Sequence, residues 1–362
     1  MAGLLYREDM DEVRARMTAF WNGGDLGRPA LAITCPRETP LETIDPMPEP
    51  EGWVTHYSTS DFAYRVYQSR VGPAGQQYFG EAVPNVSPDL APNCLALYLG
   101  CEGKEMPGTV WCKPFIDDPD AFDPASLRYD PDNFYWDFTR RLAAEQVRHG
   151  RGKFLWQFPD LIEGLDTLEA MRSGEHLLYD LIDRPEWVHR MLRRITDRYF
   201  HYYDILYDTL RDEVGGSIFW AWAPGRMAKF QCDFSAMIGP DMFAEFMLPV
   251  LREMCQRVSY CMYHWDGPGA IPHHDHLLSV EGLDMLQWTP GAGAEPPLHP
   301  RWWPLHHKTI EAGKKVFARG MSFENLPALK KEFGRKLTQF YSPTCCQTPA
   351  EAQALLDAAQ VD

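Results

Sequence analysis

Apolar residues recur at helical spacing over residues 7–21, REDMDEVRARMTAFW, where Val13, Met17, Phe20 and Trp21 share a face and Gly23-Gly24 follow as a stop. RPALAIT (28–34) predicts a short buried strand, and the Pro-rich residues 36–50 predict a loop that arches over one end of the sheet. Residues 36–130 carry many Pro and Gly and little period; CLALYLG (94–100) and TVWCKPF (109–115) are their strand candidates. From about residue 132 short apolar runs alternate with longer helical stretches, the mark of repeated β/α units.

The helices expected there are 132–149, a long stretch 165–213 broken near Arg184-Pro185, 239–258 opened by Pro240, one from about Ile271, 302–312, 322–334, and a last one opened by Thr348-Pro349. The strands between them are KFLWQFPD (153–160), SIFWAWAPG (217–225), SYCMYHWDG (259–267), DMLQWTPG (284–291), KVFARG and TQFYSP. Alternation of this kind implies parallel pairing through crossover helices. A barrel and an open doubly wound sheet share it. Neither G-x-G-x-x-G at a strand-to-helix turn nor G-x-x-x-x-G-K occurs, which weakens the nucleotide-binding versions.

Composition narrows the partners. The net charge of −16 opposes binding to nucleic acid or an anionic membrane, and no run approaches a membrane span. Nine irregularly spaced Cys do not make a disulfide framework, and the first residues lack a signal-peptide core, so a reducing cytoplasm is the expected compartment. The 45% hydrophobic content, with 12 Trp, is enough to fill a large core.

In parallel β/α folds reactive groups collect where strands end, because the strand interiors are taken up by packing. The strand ends here present Gln157 and Asp160, Trp220 and Trp222, His264 and Asp266, Gln287 and Trp288, Arg319, and Tyr341 followed by Cys345 and Cys346. Gln157, Trp220, Trp222, Gln287, Trp288 and Tyr341 are candidate substrate contacts. His264 and Asp266 alternate along one strand and so project from one face. A strand histidine is more often a core residue, but the Asp-Gly-Pro-Gly that follows places an imidazole and a carboxylate beside a turn that lets a ligand approach the backbone. Asp233, in KFQCDFSAMIG, and Asp160 are further candidate catalytic carboxylates; Asp233 reads equally as a turn former. Cys345 and Cys346 lie past the last strand, and with His264 and Asp266 they form a candidate metal set, zinc foremost. Against it, neighbouring cysteines do not easily share one ion, and a free Cys is commonly a small buried hydrophobe. His273, His274, His276, His306 and His307 read as polar residues on solvated helix faces.

With these residues in view, the chain resembles the uroporphyrinogen decarboxylase-like superfamily, and its methyltransferase-like members more closely. The resemblance is carried by PDLIEGLDTLEAMRSGEHLLYDLIDRPEWV, FSAMIGPDMFAEFMLPVLREMC, YHWDGPGAIPHHDHLLSVEGLDMLQWTPGAG and FYSPTCCQTPAEAQALL. It implies a (β/α)8 TIM barrel, a single domain over residues 1–362 whose first 60 residues form a helix and loop extension. Methyltransferases of this superfamily hold zinc through a His-x-Cys pair and a later Cys. Here the pair is His264-Trp265-Asp266, with Asp in the thiolate's place, while Cys345 stands in the place of the last ligand. The decarboxylases' N-terminal Arg-rich motif is absent; TCPRETP offers only Arg37.

Three functions follow. The first is methyl transfer between a small methylated substrate and a corrinoid protein or a folate, assisted by zinc. The second is a metal-free lyase or decarboxylase acting on a small aromatic or heterocyclic acid. The third is a non-catalytic ligand-binding barrel. The expected partners are a small-molecule substrate, a corrinoid-carrying protein and a second copy of the chain.

Overall fold

A computed structural model describes residues 3–361. Its strands are β1 (Ala30–Pro36), β2 (Gln76–Gly80), β3 (Asn85–Val86), β4 (Glu102–Met106), β5 (Thr109–Lys113), β6 (Leu155–Trp156), β7 (Ser217–Phe219), β8 (Ala221–Ala223), β9 (Met227–Gln231), β10 (Tyr260–Asp266), β11 (Met285–Thr289), β12 (Lys315–Phe317) and β13 (Phe340–Cys345). The fold is mixed α/β around a seven-stranded sheet of order β2-β1-β13-β12-β11-β10-β9. Every neighbouring pair in it is parallel except β1 with β2. Beyond this sheet β3 pairs with β6 in parallel, and Gln157 bridges in parallel to Ile218 of β7. The ladder among the described residues is therefore not a closed ring. Nor is any helix among them long and apolar enough to cross a membrane.

The regular half of the chain folds as its pattern predicts. The first helix, α1 (Met10–Trp21), buries Met10, Val13, Met17, Phe20 and Trp21. It lies against the starts of the strands: Trp21 packs on Tyr260 and donates its indole N–H to the Trp222 carbonyl (2.8 Å), and the Lys315 ammonium binds the Trp21 carbonyl (3.2 Å). The helix expected at 132–149 is Phe134–Gly150, opened by the Asn133 side chain, which accepts from the Trp136 N–H.

Four expectations are corrected. CLALYLG is not a strand: Cys94–Tyr98 is helical, capped by Asn93 in a left-handed conformation (φ 70°) and buried on all sides, so no period marked it as either type. The stretch 165–213 is three helices, Gly164–Arg172, Gly174–Asp183 and Pro185–Leu210, because Ser173 at φ 78° breaks the first join as Pro185 breaks the second. SIFWAWAPG is a hairpin of β7 and β8 turning on the single residue Trp220, and β9 follows where no strand was expected. In 239–258 the helix widens into a π turn at Phe243–Met247, since Pro249 has no N–H for the Glu245 carbonyl.

One buried ionic cluster fastens β1 to the chain leaving β2. The Glu81 side chain, fully buried, accepts from both terminal nitrogens of Arg28 (2.7 and 2.8 Å), from Arg16 (2.8 Å) and from the Leu31 backbone N–H (2.9 Å).

Candidate functional site

Parallel register lines up one residue from each strand. Gln231 of β9 is level with His264 of β10, His264 with Gln287 of β11, Gln287 with Phe317 of β12, and Phe317 with Tyr341 of β13. Because side chains alternate, the residues two positions further on share that face and stand nearer the mouth. They are Asp233, Asp266, Thr289 and Arg319. Lys229 lies one layer deeper.

Asp233, His264 and Asp266 each bring one ligand atom into a group whose members all lie within 4.8 Å of one another, so together they could hold a metal ion. One oxygen of Asp266, Oδ1, is buried with no hydrogen-bond partner among the described residues, and the other is 3.9 Å from His264 Nε2. The far side of the imidazole is fixed. His264 Nδ1 donates to Gln287 Oε1, and Gln287 Nε2 donates to Thr289 Oγ1 (2.7 Å), which sets both the amide orientation and the tautomer. The Nε2 lone pair then faces the two carboxylates. Burial, then the Lys229 charge, lowers the His264 pKa and keeps the ring neutral. Enclosure, then the neighbouring Asp166 and Asp266, pushes Asp233 up to about 7. Gly267, at φ +76°, turns the chain away directly after Asp266.

Beneath the group lies a charged network of which the sequence reading named only Asp160 and Asp233. The Lys229 ammonium is buried, pairs with Asp160 Oδ1 (2.6 Å) and donates to Gln231. Gln231 donates to Asp233 (3.1 Å), while Asp166 accepts from the backbone N–H groups of Asp233 and Phe234 (2.8 and 2.9 Å). Glu163 accepts from the Gln231 N–H (2.7 Å), and burial raises its pKa well above the carboxylate range. Asp89 accepts from the Asp160 N–H (3.1 Å) and is pushed up to about 6 by burial and by Asp160. The alternation Lys229-x-Gln231-x-Asp233 was the available signal for this face.

Trp220 stands over the group. Its ring meets His264 edge to face, with centroids 5.7 Å apart, and its backbone is left-handed at φ 56°. That conformation is unfavourable for a bulky residue. Its backbone is tied on both sides: the Trp220 N–H donates to Gln157 (2.9 Å), and Tyr341 donates to the Trp220 carbonyl (2.9 Å). Gln157 and Tyr341 thus hold the hairpin tip.

Other candidates lie elsewhere. Trp288 alternates with Gln287 and so faces the helix layer, packed between Trp265 and Trp302 at 1% exposure. Trp222 is buried and donates to Asp212 (2.9 Å). Neither cysteine joins the group of three. Cys345 is exposed with its sulfur 3.4 Å from Thr34 Oγ1, and Cys346 is buried in a separate apolar cluster with Cys35, its thiol pushed up to about 11 by burial. Three of the helix histidines are buried, not solvated. His273 bonds the Ser235 carbonyl, His274 pairs with Thr309, and His306 bonds the Pro297 carbonyl; burial lowers the last two to about 4.

No family model and no curated protein matches the chain in sequence. A solved structure matches it in fold. A methyltransferase from Methanosarcina mazei superposes with a TM-score of 0.57, over 96% of this chain and 98% of that one, at 14% identity. The likeness is one of fold.

Proposed function

We propose that this chain is a methyltransferase built on a (β/α)8 barrel, with β3, β6 and β7 completing the ring, that moves a methyl group between a small methylated substrate and a corrinoid protein or a folate. The carrying observation is the group Asp233, His264 and Asp266 at the strand ends, with an unpartnered buried oxygen on Asp266. The fold likeness to a methyltransferase supports the same reading. Two carboxylates and one imidazole fit a divalent ion and make a harder donor set than thiolates, so manganese, iron(II), cobalt and zinc are all candidates. Such an ion supplies Lewis-acid activation of the methyl acceptor.

The protein's own groups do the rest. Gln287 and Thr289 hold the imidazole in the tautomer that offers Nε2. Asp233, pushed up to about 7 by burial and its neighbouring carboxylates, must release its proton for the ion to bind. Trp220 gives an apolar wall for the methyl-bearing part. Lys229 offsets the negative charge of the carboxylates above it and pairs with Asp160.

Metal analysis tests this, coupled to a turnover assay that follows the visible spectrum of methylcobalamin with a panel of small thiol, oxygen and nitrogen acceptors. Near-stoichiometric ion and ion-dependent loss of the methylcobalamin spectrum are expected. Protein that binds no divalent ion on titration, or that binds it without turning over any acceptor, overturns the proposal. Gln287→Leu should weaken the ion by about 10–100-fold while leaving the fold intact, measured by competition with a chromogenic chelator.

A further inference from the structure

Arg319 is the cation of the mouth that has no acid. It follows β12 two residues after Phe317, on the face that carries Asp233 and Asp266. Its guanidinium lies 5.2 Å from the ring centroids of both Trp220 and Phe317, and it makes no ion pair or hydrogen bond among the described residues. The titratable groups that face it are the Tyr341 hydroxyl, already given to the Trp220 carbonyl, and the Cys345 thiol. The mouth does not lack carboxylates: Asp160 is paired with Lys229, and Asp233 and Asp266 converge on His264. An exposed arginine in an acidic chain commonly finds one of them. This one instead lies over two aromatic rings set nearly perpendicular to each other, with its N–H groups unpartnered among the described residues.

We infer that Arg319 binds the carboxylate of the substrate, so that the substrate class is a small methylated carboxylic acid lying across the Trp220 ring with its reacting end at Asp233, His264 and Asp266. The inference rests on the reading of those three residues as the reacting centre. The planar guanidinium fork matches a carboxylate through two parallel hydrogen bonds. Span sets the size: one step of 5.2 Å leads from the guanidinium to the Trp220 ring and one of 5.7 Å from that ring to His264. The two steps together match the length of a substituted benzoate.

The probes are methoxyacetate and the meta- and para-methoxybenzoates, each compared with its own primary amide by calorimetry or saturation-transfer NMR, on metal-loaded and metal-free protein. At least one acid should bind about tenfold or more tightly than its amide, and Arg319→Met should remove that preference while Arg319→Lys keeps part of it. Arg319 is exposed, so both variants should melt with the wild type, and the lysine variant carries the test if the methionine variant does not fold. No acid-over-amide preference for any pair, or a preference that survives Arg319→Met, overturns the assignment. If the preference holds but the chain takes up no ion, the metal reading falls and Arg319 stands; an ion bound without the preference gives the reverse.

Discussion

Replacing His264 with alanine is expected to abolish methyl transfer and to release the divalent ion. His264 Nε2 is the only nitrogen in the group of three, and its orientation is held by Gln287 and Thr289. Losing an outer partner of a metal ligand typically costs about 10–100-fold in affinity, and losing the ligand itself should cost more. Unchanged ion content in His264→Ala, measured by inductively coupled plasma mass spectrometry, would sink the metal site. Asp266→Cys restores the His-x-Cys pair of the methyltransferases that the chain resembles, and it should shift preference toward zinc over manganese. The pH dependence has a fixed sign. Asp233 titrates near 7, so below that pH its carboxyl carries a proton that the ion must displace. Affinity should therefore fall as pH drops through about 7, by up to about tenfold per unit for one proton, and Asp233→Asn should flatten the profile.

The second large effect concerns stability. Glu81→Ala should destabilise the fold by about 3–5 kcal/mol, because it leaves Arg28, itself nearly buried, without its partner and strips the Leu31 N–H of its acceptor. Denaturant unfolding should show it, with a melting temperature lower by several degrees. A loss under about 1 kcal/mol would mean that water replaces the carboxylate freely. Glu81→Gln keeps the shape and one acceptor oxygen and should cost less.

Where the period was strong, the elements were legible before the structure. The helix that opens the chain, the strands from Tyr260 to Cys345 and the placing of His264 and Asp266 at a strand end all follow from spacing. What escaped has a physical cause in each case. The Trp220 hairpin reads as one strand because nothing local announces a left-handed aromatic; it is held there by Gln157 and Tyr341, both distant in sequence. Asp233 stands open between carboxylate and turn former in the sequence because β9, which places it, goes unseen there: its MAKFQ is buried throughout and lacks the alternation that marks a half-exposed strand. Trp288 and Trp222 are candidates by residue type at a strand end; the two-residue period turns Trp288 off the face of Gln287, and the hairpin at Trp220 carries Trp222 away to Asp212. Cys345 sits at the spacing that the resemblance suggests, but β13 pairs with β1, and Cys346 accordingly joins the far cluster.

The helix α1, pressed against the starts of β10 and β12, bears on kinetics as well as packing. It stoppers the end of the sheet opposite the acidic group, so entry and exit share one doorway. A spent molecule must then leave before the next arrives. On the proposed reading the methyl group passes directly from donor to acceptor at Asp233, His264 and Asp266, so steady-state rates plotted against the two reactants should give intersecting double-reciprocal lines, with product competing against the incoming substrate.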